Sequence, residues 1–202
     1  MRLPLVLGAM SLIALASADR LIDIPTARKI PFKDVRYEFR SQPFSSGTFE
    51  QYLGLGVGKS FELDLRAMEE RGQKQVGTFD FAYDLIAALP GVSPGISFGV
   101  QDGADRTVDG RRYYFATTYR DVLQVIGGSV KTDVTLGVQT GKLTSPFVGF
   151  SLPFSKHVYF IGEHNGYRIS AGLEFRFTDR IAVRYYTRDK EMFLSLSASG
   201  RF

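Results

Sequence analysis

Residues 191–202 read EMFLSLSASGRF, and their side chains alternate between two faces. One face carries Met192, Leu194, Leu196, Ala198, Gly200 and Phe202. The other face carries Phe193, Ser195, Ser197, Ser199 and Arg201. Because successive side chains of a β-strand point to opposite sides, this pattern predicts a strand with one apolar face and one more polar face.

The last residue, Phe202, gives this strand a resemblance to the C-terminal strand of bacterial outer-membrane β-barrels. Gly200 departs from that pattern, because those proteins usually carry another aromatic residue at that position. The resemblance implies that lipid and lipopolysaccharide of the bacterial outer membrane surround the protein. It also implies that the barrel-assembly machinery recognises the strand that ends in Phe202.

The other end of the chain has the layout of a secretory signal peptide. Residues 1–18 contain one basic residue, Arg2, then an apolar core over 3–15, then Ala-Ser-Ala at 16–18. The apolar core is shorter than the ~20 residues that a spanning helix needs, which disfavours the alternative of an N-terminal membrane anchor. The sequence therefore predicts an exported protein whose mature chain begins at Asp19.

Composition excludes several classes of site. Removing 18 of the 202 residues leaves 184, which suits a single domain. The chain has no cysteine, so it forms no disulfide and no thiolate metal site. A formal charge of +4 is too weak a bias to indicate nucleic-acid binding. The sequence also lacks a phosphate-binding glycine motif and metal-ligand spacing, so we expect no cofactor and no metal.

Period-2 alternation recurs along almost the whole chain after residue 34 and predicts about twelve strands. Each has roughly 8–12 residues, the length that a tilted strand needs to cross a bilayer. The predicted strands lie near 35–42, 48–58, 60–69, 76–86, 95–102, 111–120, 131–140, 146–154, 157–163, 167–177, 180–188 and 191–202. The sequence therefore predicts an all-β protein, an antiparallel transmembrane β-barrel of about 12 strands over residues 35–202.

The segment before the first predicted strand, residues 19–34, fits no strand ladder well. It contains Pro25 and Pro31, and each proline removes a hydrogen-bond donor from a ladder. We expect this N-terminal segment to lie in the barrel lumen or at the periplasmic rim.

Alternation alone does not say which strand face points inward, because a soluble barrel would place its apolar face inside. Three features favour a membrane barrel with both termini in the periplasm. An even strand number returns both termini to one side, as single-chain outer-membrane barrels require. Tight turns at 58–59, 155–156 and 178–179 fall on the side of the termini, although the connections 87–94 and 121–130 are long for that side. The polar loops fall on the opposite side, at 41–47, 69–75, 102–110 and 140–145.

The third feature is a set of aromatic residues at the strand ends nearest the termini. Aromatic side chains at this level form girdles at the membrane interface. The predicted periplasmic girdle consists of Phe61, Tyr119, Phe154, Phe177 and Phe202.

Charged residues occupy the polar face of many predicted strands, and a charge facing lipid would cost a few kcal/mol near the bilayer midplane. They are therefore predicted to line the lumen. The predicted lumen-lining charges are Arg36, Glu38, Arg40, Glu62, Asp64, Arg66, Asp80, Asp84, Asp133, Arg168, Glu174, Arg176 and Arg184. Two interpretations stay open: a self-paired network that fills the barrel, and a narrow polar pore whose charges select solutes.

Several stretches in the same order resemble the YjbH-like outer-membrane barrel proteins, which are associated with exopolysaccharide production and export. The stretches that carry the resemblance are LIDIPTARKIP at 21–31, PGISFGVQDG at 94–103, RRYYFATTYR at 111–120, VTLGVQTGKL at 134–143 and PFVGFSLPFSKHVYFIGEHNGYRISAGLEFRFTDRIAV at 146–183. The chain is much shorter than the longer members of that family. The resemblance implies an outer-membrane barrel and partners among polysaccharide-export components.

One candidate catalytic pair stands at the predicted extracellular rim, where Glu163 precedes His164. Some outer-membrane hydrolases place acidic and histidine residues at that rim to activate water. The other interpretation is a hairpin turn over 163–166, with Asn-Gly supplying positive φ. We favour a protein that is not an enzyme and has a structural or narrow-pore role in the outer membrane. The alternative is a barrel hydrolase that uses the Glu163–His164 pair.

Overall fold

A computed structural model describes residues 20–44, 48–69 and 74–202. The predicted signal peptide, residues 1–18, lies outside these ranges. The described chain contains twelve strands and no α-helix: β1 (Asp34–Ser41), β2 (Phe49–Val57), β3 (Phe61–Glu69), β4 (Val76–Ile86), β5 (Gly95–Gln101), β6 (Arg112–Val125), β7 (Gly128–Thr140), β8 (Thr144–Pro153), β9 (Val158–His164), β10 (Ile169–Arg176), β11 (Ile181–Arg188) and β12 (Glu191–Arg201). Over the same ranges, no helix is long and apolar enough to cross a membrane.

The twelve strands form a closed antiparallel barrel, which confirms the predicted all-β barrel and its number of strands. Each strand pairs with its neighbours in the chain, and β1 closes the barrel against β12 with Val35 opposite Gly200 and Ser41 opposite Leu194. Because the strand number is even, β1 begins and β12 ends at the same end of the barrel. We call this the terminal end and the opposite one the loop end.

The prediction of a long connection over 121–130 is wrong. Strands β6 and β7 continue through it as a hairpin, with Asp121 opposite Thr132 and Val125 opposite Gly128. The β-branched residues of this stretch favour a strand, and the φ of +96° at Gly127 allows the tight turn. At the loop end, the predicted loop 140–145 is also shorter, since β7 ends at Thr140 and β8 begins at Thr144.

The two faces of the wall have opposite polarity. In β1, the side chains of Arg36, Glu38 and Arg40 are buried inside the barrel, whereas Tyr37 and Phe39 are exposed on its outer surface. The same alternation runs around the barrel, so that charged residues lie inside and large apolar residues lie outside. A soluble barrel has the reverse arrangement.

Residues 20–33, which we call the plug, lie inside the lumen over 20–30 and continue to β1 through the exposed residues 31–33. Of the two positions expected for the N-terminal segment, the structure therefore shows the lumenal one. Ile22, Ile24 and Ile30 are almost completely buried, and the first two belong to an apolar cluster with wall residues. The wall residues of this cluster are Tyr114, Ala116, Phe147, Ile161, Tyr186 and Phe193. Burial of apolar side chains against these rings stabilises the plug inside an otherwise charged lumen.

Glycines in the wall make room for the plug. A Cβ atom at Gly56 would collide with the carbonyl oxygen of Pro31, and one at Gly149 would meet the side chains of Leu21 and Ile24. The plug therefore approaches the strand backbone more closely than any other residue type at these positions would allow.

Candidate lumenal site

The carboxylate of Glu163 holds the tip of the plug. It accepts hydrogen bonds from three consecutive backbone N–H groups, those of Ile22 at 2.9 Å, Asp23 at 2.9 Å and Ile24 at 3.2 Å. Burial would make three unpaired N–H groups costly, and a carboxylate is the strongest acceptor that the side chains offer. Glu163 thus supplies the acceptor for the backbone N–H groups at the turn of the plug.

Three further wall side chains bind the backbone of the plug closer to the terminal end of the lumen. The Thr118 hydroxyl accepts the N–H of Ala27 at 2.7 Å, and the Glu62 carboxylate accepts the N–H of Ile30 at 2.5 Å. The Ser97 hydroxyl donates to the carbonyl oxygen of Thr26 at 3.3 Å. These contacts replace the ladder hydrogen bonds that an irregular buried segment lacks.

Ion pairs fix the charged side chains of the plug. Arg20 lies 2.6 Å from Asp64 and 3.1 Å from Asp80. Arg28 forms an ion pair with Asp133. Because each pair is buried, loss of one partner would leave an uncompensated charge in the lumen.

The carboxylate of Asp23, at the tip of the plug, lies 2.9 Å from both Arg40 and Arg188. Arg40 also donates to the carbonyl oxygen of Ile22 at 2.5 Å. Two wall arginines therefore hold the side chain of Asp23, while Glu163 holds the backbone of the same turn.

The wall charges also pair with each other. Glu38 lies 2.7 Å from Arg40 and 3.6 Å from Arg184, and Glu174 lies 2.6 Å from Arg184 and 2.5 Å from Arg176. Arg176 also stacks on the Tyr159 ring at 3.6 Å. These contacts form a connected network across β1, β10 and β11.

Twelve of the thirteen residues predicted to line the lumen do lie inside the barrel. They are Arg36, Glu38, Arg40, Glu62, Asp64, Arg66, Asp80, Asp84, Asp133, Glu174, Arg176 and Arg184. Arg168 differs, because β10 begins only at Ile169. Its side chain lies in the preceding turn at the barrel mouth, where it pairs with Asp109 at 3.6 Å and Asp189 at 3.8 Å.

A polar cavity of about 850 Å³ remains above the plug at the loop end. We call it the vestibule. Its floor includes Arg20 and Asp23 of the plug, and its wall includes Tyr52, Arg66 and Arg112. Segments 107–109 and 188–191 complete its rim.

Asp102 organises the loop that forms one side of the vestibule. It accepts hydrogen bonds from the Thr78 hydroxyl at 2.5 Å, the Arg106 N–H at 3.0 Å and the Thr107 N–H at 2.7 Å. Burial alone would raise the pKa of Asp102, but these donors favour the carboxylate and lower the pKa to about 2. Asp102 is therefore a charged anchor for the loop at neutral pH.

The five predicted girdle residues have exposed side chains: Phe61, Tyr119, Phe154, Phe177 and Phe202. Phe202 also donates its N–H to the carbonyl oxygen of Lys33 at 3.0 Å, which ties the end of the described chain to the base of the plug.

The candidate catalytic pair does not come together. Glu163 points into the lumen and is occupied by the plug, whereas the adjacent His164 is exposed. The Nδ1 atom of His164 accepts the N–H of Gly166 at 3.1 Å, within a turn where Gly166 has a φ of +91°. Among the described residues, no group of three His, Cys, Asp or Glu side chains is arranged to hold a metal ion.

Sequence reasoning missed the wall residues that bind the plug backbone, Thr118 and Ser97, and the role of Glu163 as an acceptor. Strand parity places all three on the inner face, but nothing local in the sequence pairs them with a segment about 70 to 140 residues away. The prolines of the plug were the only available signal, because they exclude it from the ladder.

The chain matches no protein-family model, and no curated protein is significantly similar to it.

Proposed function

We propose that the protein is an outer-membrane β-barrel with a structural role, closed to solute flow by its own plug. The observation that supports this most strongly is the inverted polarity of the wall. Arg40 is 0% exposed inside the barrel, whereas Leu136 on the outer surface is 57% exposed. Lipid is the solvent in which an apolar outer wall and a charged interior are both stable.

The outer wall has the composition of a lipid-facing surface around the whole barrel. Exposed large apolar side chains occur on strand after strand, including Leu53, Leu65, Phe98, Leu136 and Leu196. Monomeric soluble proteins rarely expose apolar patches of such extent. We propose that the terminal end faces the periplasm, with the exposed aromatic residues at that interface and the vestibule opening to the exterior.

The partners follow from this location. Lipid and lipopolysaccharide would contact the outer wall, and the assembly machinery would bind the strand ending in Phe202. A link to polysaccharide-export components rests on the resemblance to the YjbH-like proteins alone.

The lumen favours a closed barrel over the narrow pore. Plug residues fill the space between the strands and bind the wall through Glu62, Thr118 and Glu163. Refolded protein should therefore insert into planar bilayers without producing conductance steps, while heat-modifiable migration in detergent gels reports that it is folded. Stable steps from the unaltered chain would contradict closure but leave the membrane location intact.

A matched pair of substitutions tests the membrane location itself. Leu136 lies in the middle of a strand, whereas Leu143, which is similarly exposed, lies in a turn at the loop end. In lipid vesicles, Leu136→Lys should lower the free energy of unfolding by about 2–4 kcal/mol, and Leu143→Lys should leave it nearly unchanged. If both lysine variants changed the free energy of unfolding by the same small amount, water would surround the wall and the proposal would be overturned.

A further inference from the structure

Strands β6 and β7 extend past their neighbours at the terminal end. Pairing between β5 and β6 stops where Gly95 lies opposite Thr118, and pairing between β7 and β8 begins where Asp133 lies opposite Ser151. Over 121–132, which we call the extended hairpin, the ladders of the described chain pair β6 and β7 with each other alone. Five residue steps of ~3.4 Å carry the extended hairpin roughly 17 Å along the strand direction.

Hydrogen bonds hold the extended hairpin against the rim of the barrel. The N–H of Gly91, in the connection before β5, donates to the carbonyl oxygen of Arg120 at 2.9 Å. The N–H of Lys156, in the turn after β8, donates to the carbonyl oxygen of Ile126 at 3.2 Å. Because neighbouring connections hold it at both its base and its turn, the extended hairpin continues the wall in a defined direction.

The outer face of the extended hairpin is apolar, as the outer face of the wall is. Leu123 lies on the same side of β6 as Tyr119 and opposite Val130 of β7. At the turn, Ile126 is 83% exposed, the highest value of any large apolar side chain among the described residues. Phe154, which precedes the residue that pairs with Ile126, is exposed as well. Water is a poor solvent for a continuous apolar surface of this kind.

The thickness of a bilayer also favours lipid around this surface. On β6, outward side chains from Tyr113 to Tyr119 cover a height of roughly 16 Å at a strand tilt of ~40°, and including Leu123 extends it to roughly 26 Å. The apolar band of a membrane barrel is about 25 Å tall, so this strand reaches the full height only with the extended hairpin. Asp121, whose carboxylate accepts the N–H of Val122 at 2.7 Å, places a polar group at the level of the membrane interface.

The local sequence supplies cations but no carboxylates around the turn. Lys131 belongs to the extended hairpin, and Lys156 follows the residue that pairs with Ile126. Both lysines are exposed. Neither 122–132 nor 151–158 contains an Asp or Glu residue. Lysine stems lie along apolar surfaces at a membrane interface, while their ammonium groups reach the phosphates of anionic lipids.

We propose that the extended hairpin is a lipid anchor. Its outer face and Ile126 embed in the interface of the membrane leaflet at the terminal end, and Lys131 and Lys156 bind anionic phospholipid headgroups there. This role rests on the proposed function, since it requires lipid around the wall, and it assigns one element and one class of lipid. The apolar face of the anchor is continuous with the outer wall, and the charge of its lysines complements that of the headgroups.

The chain contains no tryptophan, so a single introduced tryptophan reports its own surroundings. Ile126→Trp should be compared in vesicles of brominated lipid with Leu136→Trp in the wall and Val108→Trp at the rim of the vestibule, all three of which replace exposed side chains. Bromine on the acyl chains quenches a tryptophan that lies among them. Ile126→Trp and Leu136→Trp should lose most of their emission, and their emission maxima should lie at shorter wavelength than that of Val108→Trp.

The lysines are tested in the Ile126→Trp background. The vesicles contain phosphatidylglycerol and phosphatidylcholine, and only one of the two lipids carries bromine in each experiment. Brominated phosphatidylglycerol should quench more strongly, and Lys131→Gln and Lys156→Gln should each lower the relative affinity for it about fivefold. Lys59→Gln is the matched control, because Lys59 is an exposed lysine in another turn at the terminal end, and it should leave the preference unchanged.

The outcomes separate the anchor from the membrane location. An unquenched Ile126→Trp beside a quenched Leu136→Trp would overturn the inference and leave the membrane location intact, and it is the result expected if a protein partner covered the turn instead of lipid. If neither were quenched in protein whose heat-modifiable migration shows that it is folded, the membrane location would fail as well. Quenching without a preference for phosphatidylglycerol, or an equal effect of Lys59→Gln, would overturn the role of the two lysines.

Discussion

The backbone of the plug and the two vestibule arginines, Arg66 and Arg112, lie within the same barrel wall but differ in how their donors are satisfied. Around the plug, wall acceptors meet backbone donors at each level, as Glu163 does for residues 22–24 and Glu62 does for Ile30. In the vestibule, donors of Arg66 and Arg112 have no such acceptor among the described residues. The first arrangement stabilises a closed lumen, whereas the second leaves buried donors whose desolvation no hydrogen bond offsets.

The difference teaches that the inward-facing polar groups of one barrel wall contribute unequally to stability. A buried donor that the chain itself matches contributes to stability, whereas a buried donor left unmatched lowers it. Substitutions in the two regions should therefore differ in their effect on the free energy of unfolding.

The largest effect is expected when the acceptor at the tip of the plug is removed. Glu163→Ala leaves three buried N–H groups without their carboxylate, at a cost of roughly 1 kcal/mol each, or about 3 kcal/mol in total. Guanidinium chloride unfolding in micelles should report this loss. The loosened plug should also allow conductance steps in planar bilayers where the unaltered protein gives none.

Glu191→Ala is the control for this change, because Glu191 is an exposed carboxylate that accepts a hydrogen bond from the side-chain amide of Gln42 at 2.7 Å. Its effect on the unfolding free energy should stay within about 0.5 kcal/mol. If both variants behaved alike, the plug would not depend on the Glu163 carboxylate.

A smaller loss of stability is expected when a larger residue in the wall displaces the plug. Gly56→Ala places a methyl group against the backbone of Pro31, and overpacking of this kind costs about 2 kcal/mol. Gly77→Ala is a close match, since Gly77 is also a strand glycine, in β4, and a Cβ there meets nothing within 4 Å among the described residues. Thermal unfolding should separate the two variants, and equal midpoints would mean that the plug does not press on Gly56.

In the vestibule, removal of a charge should barely change stability. Arg66→Gln removes a cation that lies 3.8 Å from Asp80, but Asp80 keeps Arg20 at 3.1 Å, so we expect a loss of about 1 kcal/mol or less. Chemical unfolding in micelles without added anions measures it. A loss as large as that of Glu163→Ala would erase the distinction between the two regions.

Much of the barrel could be predicted from local pattern. The alternation of residues 192–202 recurs in the other strands, and a charge such as Glu38 between Tyr37 and Phe39 specifies an inner and an outer face. The hairpin over 121–130 was missed because Gly127 and Gly128 read as a loop, although they form the turn of two long strands. Local sequence patterns thus predict the presence of a strand more reliably than they predict the residues at which it begins and ends.

The interior of the lumen could not be predicted, because its contacts join residues far apart in the chain. Glu163 sits in a stretch that reads as a hairpin turn with a neighbouring histidine, yet its partner is the backbone of residues 22–24. Backbone donors carry no residue identity, so no pattern of side chains marks them. The unmatched state of Arg66 likewise depends on Asp80 being taken by Arg20 and Asp102, which only the folded arrangement shows.

The last effect should appear only in acid, on the vestibule side of the comparison. The pKa of Asp102 is about 2 in the folded protein, below its ordinary value of 3.8, so the unfolded chain takes up a proton first as the pH falls. The contribution of Asp102 to stability is therefore complete above about pH 4 and is lost as the pH falls toward 2. In unfolding measurements between pH 5 and pH 2.5, Asp102→Asn should lose less stability than the unaltered protein, since its amide does not titrate. Asp179→Asn, the same change in a turn at the terminal end, should follow the unaltered protein. An Asp102→Asn variant with the full acid response would mean that the loop beside the vestibule does not depend on this carboxylate.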